Sequence, residues 1–143
     1  MMYNYFDISQ AIRTHDFVIA ESGGAQGTKD IGTIESVLEH MQNDFYYPDF
    51  ETKLTHLVYS INKNHSFNDG NKRSSIALGA YFLEINGLEY CADKFIIEME
   101  NISVHVASNK IDKELLNEII FSIVNDDDFS EELRLKIIEA TND

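Results

Sequence analysis

Residues 65–87 read HSFNDGNKRSSIALGAYFLEING, and the second half of this stretch decides the fold. From Ile76 to Ile85 nearly every side chain is apolar, so a helix formed here has little polar surface after its first turn. A helix that is apolar on all sides is buried among other elements. Gly87 supplies the left-handed residue that commonly ends a helix. The sequence therefore predicts a central helix over residues 71–86.

Helical periodicity extends over most of the remaining chain. Apolar residues spaced for one helical face predict amphipathic surface helices after Thr33, a candidate N-cap, and between Phe50 and Lys63. A third stripe runs from Leu115 to Val124 and predicts a core-facing helix with an acidic outer side. Further helices are predicted near residues 5–18, 93–107 and 129–140. The predicted fold class is all-α, a compact helical bundle.

The stretch from Ser22 to Gly32 interrupts this pattern. It contains four of the seven glycines and has no helical stripe. Such a composition predicts an exposed, adaptable loop or a short hairpin ahead of the central helix.

Length and composition bound the class of protein. At 143 residues with 43% hydrophobic side chains, the chain fits one globular domain over residues 1–143. A net charge of −14 disfavours binding to nucleic acids and to anionic membranes, because both carry phosphates. The single cysteine, Cys91, allows no internal disulfide. With no secretory start and no membrane-length apolar run, we expect a cytoplasmic protein.

The first part of the quoted stretch concentrates the residue types needed for phosphate chemistry. Gly70 permits a tight turn, and the amides of Asn71, Lys72 and Arg73 fall in a first helical turn, where they lack intrahelical partners. Free amides and the positive end of the helix dipole form an anion site. Lys72 and Arg73 add two of only 11 basic side chains at the same place.

Asp69 and His65 suggest what that anion would be. A carboxylate beside an anion site repels bare phosphates, but it can hold a magnesium ion that bridges two of them. A neutral histidine can accept the proton of an attacking hydroxyl. Phe67 is expected to anchor the loop in the core, and the other four histidines are expected to be structural or surface residues.

Each of these residues also has a plain structural explanation. A histidine can complement the C-terminal end of a helix dipole, and Asp-Gly-Asn is a common turn. Taken one at a time, these explanations are the better ones. Their joint occurrence beside the most apolar helix, with a basic pair in an unfavourable dipole position, favours a functional site.

The run from His65 to Arg73 resembles the signature of the Fic family, H-x-F-x-[DE]-[GA]-N-x-R, and is most similar to its Doc (death-on-curing) branch, which ends in Asn-Lys-Arg. The resemblance extends over residues 5–124. It implies a Fic-type helical fold, with His65 as general base and Asp69 as the Mg²⁺ ligand. It also implies that Gly70, Asn71, Lys72 and Arg73 hold the phosphates of ATP. The glycine-rich loop would be a flap that docks the target through Thr28, Lys29 and Asp30.

Two departures from the adenylylating branch bear on the reaction. That branch has glycine after the asparagine and a second arginine three positions after the first, where this chain has Lys72 and Ile76. In the Doc branch this goes with transfer of the ATP γ-phosphate to a serine or threonine of a protein, and elongation factor Tu is the target that the resemblance suggests. Adenylylation (AMPylation) of a protein hydroxyl and a catalytically silent binding module are the alternatives.

Control of the activity is the last expectation. Many Fic proteins carry an inhibitory segment of the form [ST]-x-x-x-E-[GN], and this chain contains no match. The resemblance to a toxin therefore implies restraint by a separate antitoxin.

Overall fold

The computed structural model describes residues 2–125 and 127–142, and these are helical almost throughout. The described residues also contain a short 3-10 helix, Glu89–Cys91, and one isolated β-bridge, but no strand. The predicted all-α fold is confirmed. No helix in these two ranges combines the length and apolar character that crossing a membrane requires. Residues 2–125 and 127–142 contain seven α-helices: α1 (Ile8–Ser22), α2 (Ile31–His40), α3 (Phe50–Asn64), α4 (Asn71–Ile85), α5 (Ala92–Ala107), α6 (Lys113–Val124) and α7 (Glu131–Thr141).

Helix α4 is central, as its composition predicts. It packs against α1, α3 and α5. Gly79 lies where α3 and α5 both come close to α4, since a Cβ there would come within 2.9 Å of both Phe95 and Val58. At the far end, Gly87 has a φ of 76°, and Leu88 N–H donates to the carbonyl of Leu83, which ends the helix as predicted.

Helix α3 corrects the prediction of an amphipathic surface helix. It is enclosed by α2, α4, α5 and α6, and its polar side is buried as well as its apolar side. Lys53 is fully buried, and its ammonium donates to the carbonyl of Met41 at 3.1 Å and to Asp44 at 2.7 Å. Partners of this kind let polar side chains enter the interior. The buried polar residues of α3 are Lys53, Thr55, His56, Ser60 and Asn62.

The start of α2 is also corrected. Thr33 is not the N-cap, because the helix begins at Ile31 and the Asp30 carboxylate accepts the N–H of Thr33. The pKa of Asp30 is lowered by its hydrogen bonds to Thr33. The other predicted helices match α1, α5, α6 and α7 to within a few residues at their ends.

His56 gives α3 a pH-dependent contribution to stability. Burial, and then the charges of Lys113 and His40, lower its pKa from 6.5 to about 4, while Lys113 donates to its Nδ1 at 2.9 Å. Between pH 6.5 and pH 4 this histidine is protonated in the unfolded chain but neutral in the folded protein. The free energy of unfolding therefore decreases as the pH falls towards 4.

We expect His56 to cost about 2–3 kcal/mol of the unfolding free energy between pH 7 and pH 4. Denaturant unfolding at several pH values gives the free energy of unfolding of the wild type and of His56→Gln. The cost is the difference between the two proteins in how far that free energy falls from pH 7 to pH 4. An equal loss of unfolding free energy in the two proteins would contradict this role of His56.

Candidate active site

The loop between α3 and α4 forms one wall of a cavity of about 330 Å³. His65, the residue after α3, has a left-handed backbone (φ 51°) that turns the chain out of the helix, and its imidazole is exposed at this cavity. All the residues to which the sequence assigns chemistry between 65 and 73 are therefore brought together. The lining residues are Asn62, His65, Asn68, Asp69, Gly70, Asn71, Lys72, Arg73 and Ala107.

The N-terminus of α4 is left without a side-chain cap. Gly70, with a φ of 74°, is its N-cap, and within the described residues the amides of Asn71, Lys72 and Arg73 have no hydrogen-bond acceptor. In contrast, a side chain accepts from the first turn of α1, α2, α3, α6 and α7. Bare amides at the positive end of a helix dipole are suited to an anion.

The two cations of the first turn differ in their surroundings. Lys72 is exposed, and its side-chain ammonium forms no hydrogen bond or ion pair with any residue in 2–125 or 127–142. The guanidinium of Arg73 donates through Nη1 to the Ser22 hydroxyl and to the carbonyl of Gly23, the latter at 2.8 Å. Its Nη2 lies 3.9 Å from Oδ1 of Asp69. Arg73 thus connects the end of α1 with the start of α4.

The carboxylate of Asp69 is half exposed and fixed in place. Its Oδ2 accepts the N–H of Ala25 at 3.0 Å, and its Oδ1 accepts the N–H of Gly70 at 2.8 Å. These backbone hydrogen bonds, with a smaller effect of Arg73, lower the pKa of Asp69 and keep it ionised.

Among the described residues that line the cavity, Asp69 is the one acidic side chain and so the candidate ligand for Mg²⁺. The described residues contain no cluster of three or more histidine, cysteine or acidic side chains that could hold a metal. One carboxylate suits Mg²⁺, which commonly takes one or two protein carboxylates and completes its shell with phosphates and water. The residues present fit a magnesium ion delivered with a nucleotide.

Phe67 anchors the loop between α3 and α4 in the core, as predicted, and His15 of α1 contacts the same loop. Phe67 is fully buried and stacks on the His15 ring with centroids 3.9 Å apart. Nε2 of His15 donates to the carbonyl of Asp69 at 2.7 Å. The sequence analysis expects His15 to be a structural or surface residue and does not connect it with the site. The available signal was a polar residue on the apolar stripe of α1, between Ala11 and Ile19.

Asn71 uses its side chain within the loop. Its amide accepts the N–H of Phe67 and donates to the carbonyl of the same residue, both at 3.1 Å. Asn71 thereby holds the residues before α4 in place, and its backbone N–H stays without an acceptor in the described residues.

The glycine-rich loop is exposed, but it is not a hairpin. Its bridge joins Thr28 to Phe67, and the amides of Lys29 and Asp30 both donate to the carbonyl of Ser66, at 2.8 and 2.9 Å. The glycine-rich loop therefore pairs with residues 65–70 between α3 and α4, called the motif loop below, rather than with itself. The side chain of Lys29 is exposed beside the site, whereas that of Asp30 is used to cap α2.

Comparison with known proteins gives this site a family. The sequence profile of the Fic/DOC family matches residues 5–83, which end inside α4 and include the whole motif. The chain belongs to the Fic/DOC family. The matched part is shorter than the range 5–124 suggested by the resemblance.

Two curated relatives in this family bear Doc names. A protein of Mycolicibacterium smegmatis named Toxin Doc is 32% identical over 94 residues, which cover 63% of this chain and 72% of that protein. A protein of Escherichia phage P1 named Protein kinase doc is 30% identical over 106 residues, covering 71% of this chain and 81% of that protein. The predicted membership of the Fic/Doc family is thus confirmed, with its likeness to the Doc branch.

Proposed function

We propose that this Fic/Doc protein is a Doc-like toxin that transfers the γ-phosphate of ATP to a serine or threonine hydroxyl of a target protein. The observation that supports this most directly is the uncapped start of α4, which faces the same cavity as His65 and Asp69. Phosphoryl transfer requires mainly positioning and charge stabilisation, and the cavity offers groups for both.

The polyphosphate would lie against the start of α4. The amides of residues 71–73 would donate to its oxygens, and Lys72 and Arg73 would offset its charge. Asp69 would hold a magnesium ion, which lowers the charge that develops on the bridged phosphates.

His65 would act as the base. Its exposed imidazole can take the proton of an incoming hydroxyl while the hydroxyl oxygen bonds to the γ-phosphorus and the bond to ADP breaks. The target chain would approach from the side of the glycine-rich loop, where Thr28 and Lys29 border the motif loop.

Two observations support transfer of phosphate rather than AMP: the residue at position 72 and the name of one relative. Lys72 places a long cation where adenylylating Fic enzymes have glycine, and the phage P1 relative is named a protein kinase. The target we propose is a translation factor, elongation factor Tu being the first to test. Since a relative is named a toxin and this sequence contains no match to the inhibitory motif of Fic proteins, we also propose a separate antitoxin as its partner.

The test is incubation of the purified protein with magnesium-ATP and cell extract or elongation factor Tu, followed by mass measurement of the modified protein. A phosphate adduct on a serine or threonine supports the proposal. An AMP adduct would show an adenylyltransferase instead, and no adduct from a folded protein would favour a silent binding module.

A further inference from the structure

Arg73 lies where a cation is unfavourable by itself. It is the third residue of α4, close to the positive end of that helix dipole. The last residue of α1, Ser22, and its C-cap, Gly23, lie against the guanidinium and bring the negative end of a second helix dipole to it. The C-terminus of α1 therefore offsets the cost of placing Arg73 there.

The hydrogen bonds of Arg73 show which edge of the guanidinium remains for a ligand. A guanidinium has five N–H donors, two of them on Nη1. Both contacts to α1 involve Nη1, one to the Ser22 hydroxyl and one to the carbonyl of Gly23. The Ser22 hydroxyl itself donates to the carbonyl of Val18 at 2.6 Å, so its lone pairs are the part that faces Arg73. The donors of Nη2 and Nε form no hydrogen bond within residues 2–125 and 127–142, and Nη2 lies 3.9 Å from Oδ1 of Asp69.

Gly24 keeps this second edge open. A Cβ on Gly24 would lie 2.6 Å from Oδ2 of Asp69 and 3.1 Å from Nη2 of Arg73. The backbone of Gly24 has a φ of 122°, which side-chain-bearing residues rarely adopt. The chain thus passes close to both charged groups without filling the space between them.

We propose that Ser22, with the carbonyl of Gly23, is a positioning residue for Arg73, which turns the Nη2 edge towards the polyphosphate. This inference rests on the proposed function. Ser22 lies outside the motif and outside the target-docking residues of the loop, and it contacts the ligand only through Arg73.

The test compares Ser22→Ala with Thr141→Ala as a matched control. Thr141 is likewise the last residue of a helix, and its hydroxyl donates to the carbonyl four residues earlier, at 2.8 Å, but it lies in α7 away from the cavity. For Ser22→Ala we expect about tenfold weaker binding of magnesium-ATP by calorimetry and a raised KM for ATP. Thr141→Ala should bind like the wild type, and Ser22→Thr, which keeps the hydroxyl, should recover most of the loss.

A second readout separates this inference from the proposed function. Rotation of the Arg73 guanidinium can be measured by ¹⁵N NMR without any substrate. In the wild type and in Thr141→Ala we expect restricted rotation of Nη1, and in Ser22→Ala faster rotation. If the wild type neither binds ATP nor transfers phosphate, the proposed function fails while the NMR result still decides the role of Ser22. Equal rotation in Ser22→Ala and the wild type, or ATP binding within twofold of the wild type, would overturn the inference.

Discussion

Replacing His65 with asparagine is expected to lower the rate of transfer to the target at least about a hundredfold. General base catalysis contributes about 10²–10⁴ to a rate, and within the described cavity lining no other histidine is present to substitute. Asparagine is the better probe than alanine because residue 65 has a left-handed backbone, which asparagine tolerates. The exposed imidazole contributes little packing, so the variant should fold like the wild type.

The measurement is single-turnover transfer from magnesium-ATP, with His40→Asn as the control. His40 is also exposed and also lies at the end of a helix, but it does not line the cavity. We expect His65→Asn to bind magnesium-ATP with nearly unchanged affinity, because the phosphate donors lie on α4. Transfer at a normal rate by the asparagine variant would exclude His65 as the base.

Replacing Phe67 with alanine is expected to destabilise the protein by about 3–5 kcal/mol, the usual cost of emptying a buried aromatic site. Phe67 is fully buried and packs face to face on His15, so its removal leaves a cavity under the motif loop. Domains of this size have a free energy of unfolding of only about 5–15 kcal/mol, so the variant would lose a large part of its stability. The folded fraction should also lose activity, since the same loop positions Asp69.

Phe45→Ala is the matched control for this change. Phe45 is 87% exposed, and its truncation should alter the free energy of unfolding by less than about 0.5 kcal/mol. Urea unfolding of the two variants and the wild type measures both values. A loss below about 1 kcal/mol for Phe67→Ala would mean that the loop does not depend on this anchor.

The central helix and the motif could be predicted because their signals are local. An apolar run that ends in Gly87 specifies α4, and the contiguous run from His65 to Arg73 brings its chemical groups together without knowledge of distant contacts. The role of Phe67 follows from the same stretch.

What escaped prediction depends on contacts between distant segments. The polar residues of α3 suggest an exposed face, yet Lys53 is buried because Asp44 and the carbonyl of Met41 reach it from the preceding loop. The support that His15 gives to Asp69 joins residues 54 positions apart. Both arrangements are invisible to a periodicity argument, which compares only neighbours along one helix.

The glycine-rich loop is attached to the motif loop through its backbone, while most of its side chains face the solvent. The contacts of Gly27, Lys29 and Asp30 with the motif loop are made by peptide groups, which every residue type except proline supplies in full. Side chains at Gln26 and Lys29 are exposed and can be exchanged without loosening that attachment. Under the proposed function, substitutions at these exposed positions would change which target protein binds without changing the residues between His65 and Arg73.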